Sequence, residues 1–362
     1  MPIMQDPPAG GWRGRARAAG ARVGIGLSGL VNWQPQGVWS GATGAEPEPV
    51  VTLGAPAVLS RGEPFTVLSW NLQFAGTRRY HFFYDGGPEV SVRPEHVREA
   101  LDGIGAVLAE HAPTLALLQE IDRDSARTGR VDELVALLER APFPTYAATP
   151  YHRSRFVPVP PRHPLGRIDL ALGILSRVRL EHARRHALAP LVEPWLRQEF
   201  NLKRAILSAE VPVAGAGPLA VAVTHLSAFS RGDGTLPRQV EALAAWMRAR
   251  RQAGQPFVLG GDLNCLPPGD DPARLGAEAT EYADDIPPIT ALLPEFRSLI
   301  PVERLREPTF ASYLPPGASV PDRVLDYVFV SDDIEILDAA VLPMHPLLSD
   351  HLPLWGRLRL AA

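Results

Sequence analysis

Six short segments of the sequence place polar side chains directly at the end of an apolar run. The residues in them with chemistry to offer are Asn71, Glu120, His225, Asp262, Asn264, Asp326, Asp350 and His351. An apolar run is expected to be buried, and a carboxylate, amide or imidazole at its end is costly to bury without a partner or a metal ion. The repeated pattern therefore predicts that these side chains converge in one cleft.

The side-chain types in this set suit metal binding and proton transfer. Carboxylates and amides are hard oxygen ligands, which suit Mg²⁺, Mn²⁺ or Ca²⁺ and do not favour zinc. Histidines can move protons near neutral pH. Each segment taken alone has an ordinary explanation, because a glutamate after a strand is commonly a loop residue and a Gly-Asp-Leu-Asn run is commonly a turn. Only the whole set points to a site.

In order, neighbours and spacing, the six segments resemble the endonuclease/exonuclease/phosphatase superfamily, which includes pancreatic-type deoxyribonuclease, abasic-site endonucleases and bacterial sphingomyelinases. The resemblance rests on Trp70-Asn71, Gln119-Glu120, Thr224-His225-Leu226, Gly261-Asp262-Leu263-Asn264, Asp326-Tyr327 and Ser349-Asp350-His351-Leu352-Pro353. It spans about residues 64 to 360 of the chain. It implies an α/β fold, a four-layer αββα sandwich with two mainly antiparallel sheets.

The resemblance also implies which residues hold the metal ion. Glu120 matches the principal metal ligand of the family. Asn71 matches an asparagine beside the metal and the phosphate, and Asp350 matches a carboxylate near the metal. The implied cofactor is Mg²⁺, with Mn²⁺ or Ca²⁺ as alternatives.

The remaining matches imply catalytic roles. His225 corresponds to a histidine that contacts phosphate or protonates the leaving group, and Asp262 to an aspartate that positions or deprotonates water. Asn264 corresponds to an asparagine that holds phosphate. His351 is implied to be central to catalysis, with Asp326 accepting its other N–H and so orienting it. No serine or cysteine nucleophile is required.

These observations predict a divalent-metal-dependent phosphoric ester hydrolase and leave three functions open. The first, which we favour, is a nuclease, of endonuclease or exonuclease type, that cleaves a phosphodiester by in-line attack of water. The second is the same chemistry on a phospholipid headgroup or a small phosphoester, as in a phosphodiesterase or phosphatase. The third is a catalytically silent binding protein, which is disfavoured because every motif residue is present.

The elements that must position these residues can be read from the apolar periodicity. Apolar or alternating runs predict strands over 65–71, 115–120, 170–175, 204–211, 219–224, 257–261, 324–330 and 354–360. Helical spacing predicts helices over 94–111, 132–140 and 236–251. Polar residues recur where the strands end, and ligand sites often gather at strand ends.

The chain is predicted to hold one catalytic domain behind an extension. Residues 1–62 are rich in Gly, Pro and Ala and lack sustained periodicity, whereas residues 63–362 carry the motifs. Residues 1–45 loosely resemble a signal segment, which would direct export. A disordered arm is the alternative reading, and it favours a cytoplasmic protein.

Composition limits the partners. With 362 residues and a net charge of −4, the chain lacks the overall basic charge typical of nucleic-acid binding, although bound cations would offset carboxylates in a site. The single cysteine excludes an intrachain disulfide. No run is long and apolar enough to span a membrane. We expect a monomer whose partner is a phosphodiester substrate, nucleic acid or a phospholipid headgroup.

Two further segments have open roles. The aromatic segment 80–84, preceded by Arg78 and Arg79, could contact substrate or could anchor a long loop as a hydrophobic plug, and the plug is favoured. Basic residues also cluster later in the chain, where they could line the cleft or form a solvated loop; they are Arg153, Arg155, Arg162 and Arg167.

Overall fold

The structure is a computed structural model that describes residues 45–228, 232–282, 288–345 and 347–361. The proposed signal segment falls almost entirely on residues 1–44, outside the described residues. No helix of the described parts is long and apolar enough to cross a membrane.

Strands dominate the described chain, and in chain order they are β1 (Glu46–Pro47), β2 (Val50–Thr52), β3 (Leu59–Ser60), β4 (Pro64–Asn71), β5 (Leu115–Asp122), β6 (Thr145–Val157), β7 (Gly166–Ser176), β8 (Glu181–Ala187), β9 (Ala205–Val211), β10 (Val213–Ala214), β11 (Leu219–His225), β12 (Phe257–Asp262), β13 (Arg297–Ser298), β14 (Asp326–Val330), β15 (Ile334–Val341) and β16 (Leu354–Leu360). The α-helices are α1 (Pro94–His111), α2 (Glu133–Arg140), α3 (Trp195–Phe200) and α4 (Thr235–Gln252). Short 3₁₀ turns connect several of these elements.

Two seven-stranded sheets form the centre of the fold. The first has the order β1-β8-β9-β11-β12-β14-β13, and the second has the order β15-β16-β4-β5-β7-β6-β2. Each contains one parallel pair at its middle, β11 with β12 in the first and β4 with β5 in the second, and the other pairs are antiparallel. A small parallel pair, β3 with β10, lies apart from both.

The two sheets pack face to face, and helices cover their outer sides. A Cβ added at Gly260 of β12 would lie 2.9 Å from a methyl of Leu117 in β5, so the sheets approach closely there. α4 lies against the first sheet, where the Trp246 ring meets the Phe257 ring edge-on at 6.1 Å. α1 packs on α2, which contacts β5 of the second sheet. The predicted four-layer αββα sandwich is therefore confirmed.

Each parallel pair is joined through a helix, and its two strands therefore end at the same edge of their sheet. α1 separates β4 from β5, and α4 separates β11 from β12. Each helix is apolar along one face, since Val97, Leu101, Ile104 and Leu108 of α1 are all buried at the spacing expected of a core-facing stripe. This double β-α-β arrangement brings four strand ends together.

The predicted helices and strands are all present, with small differences at their ends. Several strands were not predicted, chiefly β6, β8 and β15. In β6 buried and half-buried residues alternate, with Pro150 at a register irregularity, and β15 is a half-exposed edge strand. Such strands carry a weaker apolar pattern than strands buried on both faces.

The boundary predicted after residue 62 also differs from the structure. β1 pairs with β8 at one edge of the first sheet, and β2 pairs with β6 at one edge of the second. The end of the predicted extension thus completes both sheets. The sequence did not indicate this because strands of two or three residues are too short to show any periodicity.

Gly261 should be essential for the stability of this centre. A Cβ at this position would lie 2.0 Å from the carbonyl oxygen of Thr224 in the neighbouring strand β11, and backbone cannot move aside cheaply. We expect Gly261→Ala to lower the free energy of unfolding by about 1–3 kcal/mol or more, as measured by chemical denaturation. Gly217→Ala is the matched control, because a Cβ there meets nothing within 4 Å. Equal stability of the two variants would contradict this packing.

Candidate active site

One cleft of about 360 Å³ collects the polar strand ends. Seven of the eight residues singled out from the sequence line it, namely Asn71, Glu120, His225, Asp262, Asn264, Asp350 and His351. The eighth, Asp326, is buried behind His351 and bonds to its ring. The structure thus brings all eight together, whereas their roles stay proposals.

Strand pairing explains the convergence. Asn71 and Asp262 are the last residues of β4 and β12, and His225 is the last of β11. His225 pairs with Asp262 in the parallel register, and Asp262 pairs with Asp326 at the start of antiparallel β14. His351 precedes β16, which runs antiparallel to β4 and so begins where β4 ends. Ends and beginnings of strands therefore share one edge of the sandwich.

His351 and Asp326 form a buried ion pair. Nδ1 of His351 lies 2.7 Å from Oδ2 of Asp326, and the hydroxyl of Ser312 donates to the same oxygen at 2.6 Å. Burial opposes protonation of the imidazole, but the carboxylates of Asp326 and Asp262 outweigh it and raise the pKa of His351 well above its usual value. The backbone also holds this histidine, because the indole N–H of Trp70 donates to its carbonyl oxygen at 2.8 Å.

Asp326→Asn should lower activity without unfolding the chain. The amide keeps the shape of the carboxylate but removes the charge that holds the His351 ring as a cation. We expect a loss of about 10–100-fold in turnover, as for other groups that orient a reactive histidine, with little change in Tm. Asp338→Asn, a change on the half-exposed edge strand β15, is the control for losing one carboxylate. Unchanged turnover of Asp326→Asn would contradict an orienting role.

Asp262 lies at the centre of the polar cluster. Its Oδ2 accepts from the amide of Asn71 at 3.1 Å and lies 3.2 Å from Nε2 of His225 and 3.6 Å from Nε2 of His351. Its Oδ1 accepts from the backbone N–H of Asn264 at 3.0 Å. Burial raises the pKa of Asp262 to about 7, against the opposing effect of His351. A carboxylate with such a pKa can accept a proton near neutral pH.

His225 differs from His351 in charge. Burial, followed by the positive charge of Arg204, lowers the pKa of His225 well below its usual value, so this ring is neutral. Its Nδ1 lies 3.3 Å from the hydroxyl of Tyr151, whose ring packs edge-on against it at 5.8 Å. A neutral imidazole has a single N–H, and its two nitrogens already face the Tyr151 hydroxyl and, at 3.2 Å, Oδ2 of Asp262.

Glu120 reaches the cleft through a distortion of its strand. The register of β5 against β7 shifts between Leu118 and Ile121, and Glu120 there has a φ of 57°. A left-handed backbone is unfavourable for glutamate and typically occurs where function requires it. The side chain remains 20% exposed, and its Oε1 accepts from the amide of Asn71 at 3.3 Å. The bulge therefore turns a strand carboxylate toward the cleft.

Gln73 supports two site residues and was missed by sequence reasoning. Its backbone N–H donates to Oδ1 of Asn71 at 2.9 Å, and its Oε1 accepts from the backbone N–H of Asp350 at 3.2 Å. Gln73, Phe74 and Ala75 all have φ between 43° and 48°. This left-handed turn directly after β4 has no pattern in the sequence that could have indicated it.

The residues present fit a divalent cation. Glu120 and Asp350 line the same cleft, and burial together with the charge of Glu120 raises the pKa of Asp350 to about 6. Carboxylates that crowd together in this way are stabilised by a bound cation, which lowers their pKa values again. Together with the amide of Asn71, they offer the hard oxygen donors that Mg²⁺, Mn²⁺ and Ca²⁺ prefer. This donor set fits the divalent cation that the sequence resemblance implies.

A second group of ligand atoms is close enough together to hold a metal ion. Among the described residues, Asp262, Asp326 and His351 offer ligand atoms within 4.8 Å of one another. However, Nδ1 of His351 and Oδ2 of Asp326 are already joined at 2.7 Å. This contact is typical of a proton-transfer pair rather than of a metal site. Mutation of Glu120 and of Asp326 distinguishes the two candidate metal sites.

The aromatic segment 80–84 forms a plug, and its end lines the cleft. Phe82 is 1% exposed and stacks on the Tyr84 ring at 5.4 Å, while Phe74 meets it edge-on at 5.1 Å. Phe83, Tyr84 and Asp85 line the cleft. The segment is therefore a plug whose end borders the cleft, and contact of that end with substrate stays a prediction.

The later basic cluster does not line this cleft. Arg153 pairs with Asp169 at 2.9 Å, and Arg167 pairs with Asp124 at 2.7 Å. With Arg155 they border a separate surface hollow. Two of these arginines thus neutralise acidic neighbours.

Comparisons with known proteins agree with this geometry. The model of the endonuclease/exonuclease/phosphatase family matches residues 68–351. An endonuclease/exonuclease/phosphatase structure from Beutenbergia cavernae DSM 12333 is 21% identical with a TM-score of 0.55, covering 83% of this chain and 72% of that chain. No curated protein matches the chain by sequence.

Two further solved structures share the fold. The human Nocturnin catalytic domain with bound sulfate anion is 17% identical with a TM-score of 0.53, covering 87% of this chain and 97% of that chain. A mannosyl-6-phosphatase from Bacteroides thetaiotaomicron is 14% identical with a TM-score of 0.50, covering 81% of this chain and 99% of that chain. Fold, converging motifs and family match agree, and the chain belongs to the endonuclease/exonuclease/phosphatase family.

Proposed function

We propose that the chain is a divalent-metal-dependent phosphoester hydrolase in which water attacks phosphorus in line. The observation that carries this proposal is the meeting, in one cleft, of the His351–Asp326 pair with Asp262, Glu120 and Asp350. A binding protein that had lost its chemistry would have no use for a charged pair buried against a second carboxylate, since burying charges is costly.

Different residues of the chain carry out proton transfer and charge stabilisation. Asp262 accepts a proton from the attacking water, whose oxygen forms a new bond to phosphorus while the bond to the leaving oxygen breaks. The leaving oxygen takes a proton from solvent, so the products are an alcohol and a phosphate. His351, as a cation, offsets negative charge on a phosphoryl oxygen, the amide of Asn264 holds a phosphoryl oxygen, and neutral His225 positions Asp262.

Glu120 and Asp350, with Asn71 beside them, would hold the metal ion. A bound dication supplies polarisation of a phosphoryl oxygen and offsets the charge that develops on it. The left-handed backbone of Glu120 and the support of Asp350 by Gln73 keep both carboxylates in place before substrate arrives. Pre-positioned ligands of this kind are what electrostatic catalysis requires.

The cleft walls favour a compact phosphoester over a long nucleic acid. Asp85, Glu278 and Glu281 line the cleft, and burial, followed by the charges of Asp350 and Glu120, raises the pKa of Asp85 to about 8. Nonspecific nucleic-acid binding needs lysines and arginines that neutralise successive phosphates. The arginines in the described lining of the cleft are Arg127, which is paired with Asp122, and Arg204, too few to follow a polyanion, whereas Tyr84 and Tyr313 offer surfaces for a small organic group. The nuclease favoured by the sequence remains the second candidate.

A substrate panel at fixed Mg²⁺ tests this function. It contains plasmid DNA, an abasic duplex, RNA, sphingomyelin, a sugar phosphate and a bis-aryl phosphodiester. We expect the highest kcat/KM on a compact phosphoester or phospholipid headgroup. Faster cleavage of DNA or RNA would make the chain a nuclease, and failure on all substrates would contradict the hydrolase itself.

A further inference from the structure

Arg204 is a buried arginine at the wall of the cleft. It directly precedes β9 and is 3% exposed, yet it lines the cleft together with Asn71, Glu120 and His225. The adjacent Lys203 turns its ammonium group away toward backbone carbonyls of residues 198 and 201. The guanidinium shares a side-chain hydrogen bond with Tyr151, but a buried cation at a cleft needs partners for its other donors as well, because leaving buried donors unbonded is costly.

Two donors of the Arg204 guanidinium have no hydrogen-bond partner among the described residues. They are Nε and Nη1, and both are buried. Other buried arginines of the chain are bonded. Arg127 donates through Nε and Nη2 to the two carboxylate oxygens of Asp122 at 2.8 and 2.9 Å, and Arg185 donates to the carbonyl of Lys203 at 2.9 Å. Arg204 therefore has two unbonded donors, unlike Arg127 and Arg185.

The guanidinium also lies next to the reacting groups. It sits 5.2 Å from the centre of the Tyr151 ring, and the Tyr151 hydroxyl is 3.3 Å from Nδ1 of His225. Nε2 of His225 is in turn 3.2 Å from Asp262. The Tyr151 ring thus links Arg204 to His225 and Asp262, which lie beside the scissile bond in the proposed function.

The two unbonded donors indicate the nature of the missing partner. They require oxygen acceptors at the cleft, and the phosphoryl group of the substrate in the proposed function would supply such oxygens. A planar guanidinium presents two parallel N–H groups that match two oxygens of a phosphate.

We propose that Arg204 is a substrate-binding residue that donates through Nε and Nη1 to phosphoryl oxygens. The proposal rests on the proposed function, because it takes the phosphoryl group to lie between the guanidinium and Asp262. It adds a recognition element that the motifs of the sequence did not include, and it predicts that the site binds free inorganic phosphate as well as substrate.

The test measures inorganic phosphate binding by the full chain in Mg²⁺, by titration calorimetry and as competitive inhibition of hydrolysis. Arg204→Gln should weaken phosphate binding by about 10–100-fold, as expected for losing hydrogen bonds from a charged donor. Phosphate binding by Arg204→Lys should be intermediate, because lysine keeps the positive charge but lacks the two parallel N–H groups of the guanidinium. KM should rise in both variants, and guanidinium ion added to Arg204→Ala should restore part of the rate.

Arg185→Lys is the matched control for disturbing a buried arginine, since Arg185 is 1% exposed and does not line the cleft. It should bind phosphate as the unmodified chain does, even if its Tm falls. If Arg204→Lys and Arg204→Gln bind phosphate normally and only lose Tm, Arg204 is structural, its donors are met by buried water, and the proposal is overturned. Failure of the unmodified chain to hydrolyse any phosphoester would overturn the proposed function as well, whereas hydrolysis without phosphate binding would overturn only the proposal for Arg204.

Discussion

His351→Gln is expected to lower turnover by about 10²–10³-fold, the range typical of losing a group that stabilises charge in the transition state. The glutamine amide is similar in size but cannot carry the positive charge that Asp326 and Asp262 maintain on the imidazole. Substrate binding should change far less than turnover, because the charge on His351 matters most when negative charge develops on the phosphoryl group. The measurement is kcat and KM on the best substrate of the panel.

His163→Gln is the control for this experiment, because His163 is exposed and does not line the cleft. It should retain full activity. The Tm of His351→Gln should fall, because buried Asp326 loses its ion-pair partner, but its circular dichroism at the assay temperature should match that of the unmodified chain, which would exclude unfolding as the cause. A His351→Gln enzyme with normal turnover would remove His351 from the chemistry.

Glu120→Gln is expected to change the metal dependence as well as the rate. The amide keeps the shape of the side chain but removes a charged oxygen ligand, and the several kcal/mol that a metal ion contributes to transition-state stabilisation correspond to about 10²-fold or more in rate. The Mg²⁺ concentration for half-maximal activity should rise strongly. It is measured by titrating Mg²⁺ into metal-free enzyme.

Glu110→Gln, at an exposed position of α1, is the control for losing one glutamate charge and should leave the Mg²⁺ titration unchanged. The same titration separates the two candidate metal sites. If Asp326→Asn shifts the Mg²⁺ dependence and Glu120→Gln does not, the ion is held by Asp262, Asp326 and His351 instead. That outcome would contradict a metal site at Glu120 and Asp350.

The site could be predicted as a set of residues because each one ends a run that is apolar and therefore visible in the sequence. Asn71, His225 and Asp262 are strand-end residues in the structure, as the apolar runs before them indicated. The edge at which they meet follows from parallel pairing across α1 and α4, which the apolar runs alone did not predict. The register that aligns Asp262 with Asp326 could not be seen, since pairing partners are not encoded locally.

Other features depend on tertiary context and left no local signal. The bulge that turns Glu120 into the cleft and the left-handed turn at Gln73 have no glycine to mark them. Tyr151 lies in β6, a strand whose alternating pattern was missed, and Arg204 looks from the sequence like an ordinary strand-flanking arginine. Short β1 and β2 were likewise hidden, although they complete the edges of both sheets.

The central claim is metal-dependent hydrolysis at phosphorus, and the most direct measurement is hydrolysis of the best substrate in ¹⁸O-labelled water by EDTA-treated enzyme before and after Mg²⁺ is added. The account predicts no turnover in EDTA, recovery with Mg²⁺ or Mn²⁺, and label in the phosphate product with none in the alcohol. Full activity in EDTA, or label in the alcohol product, would contradict it.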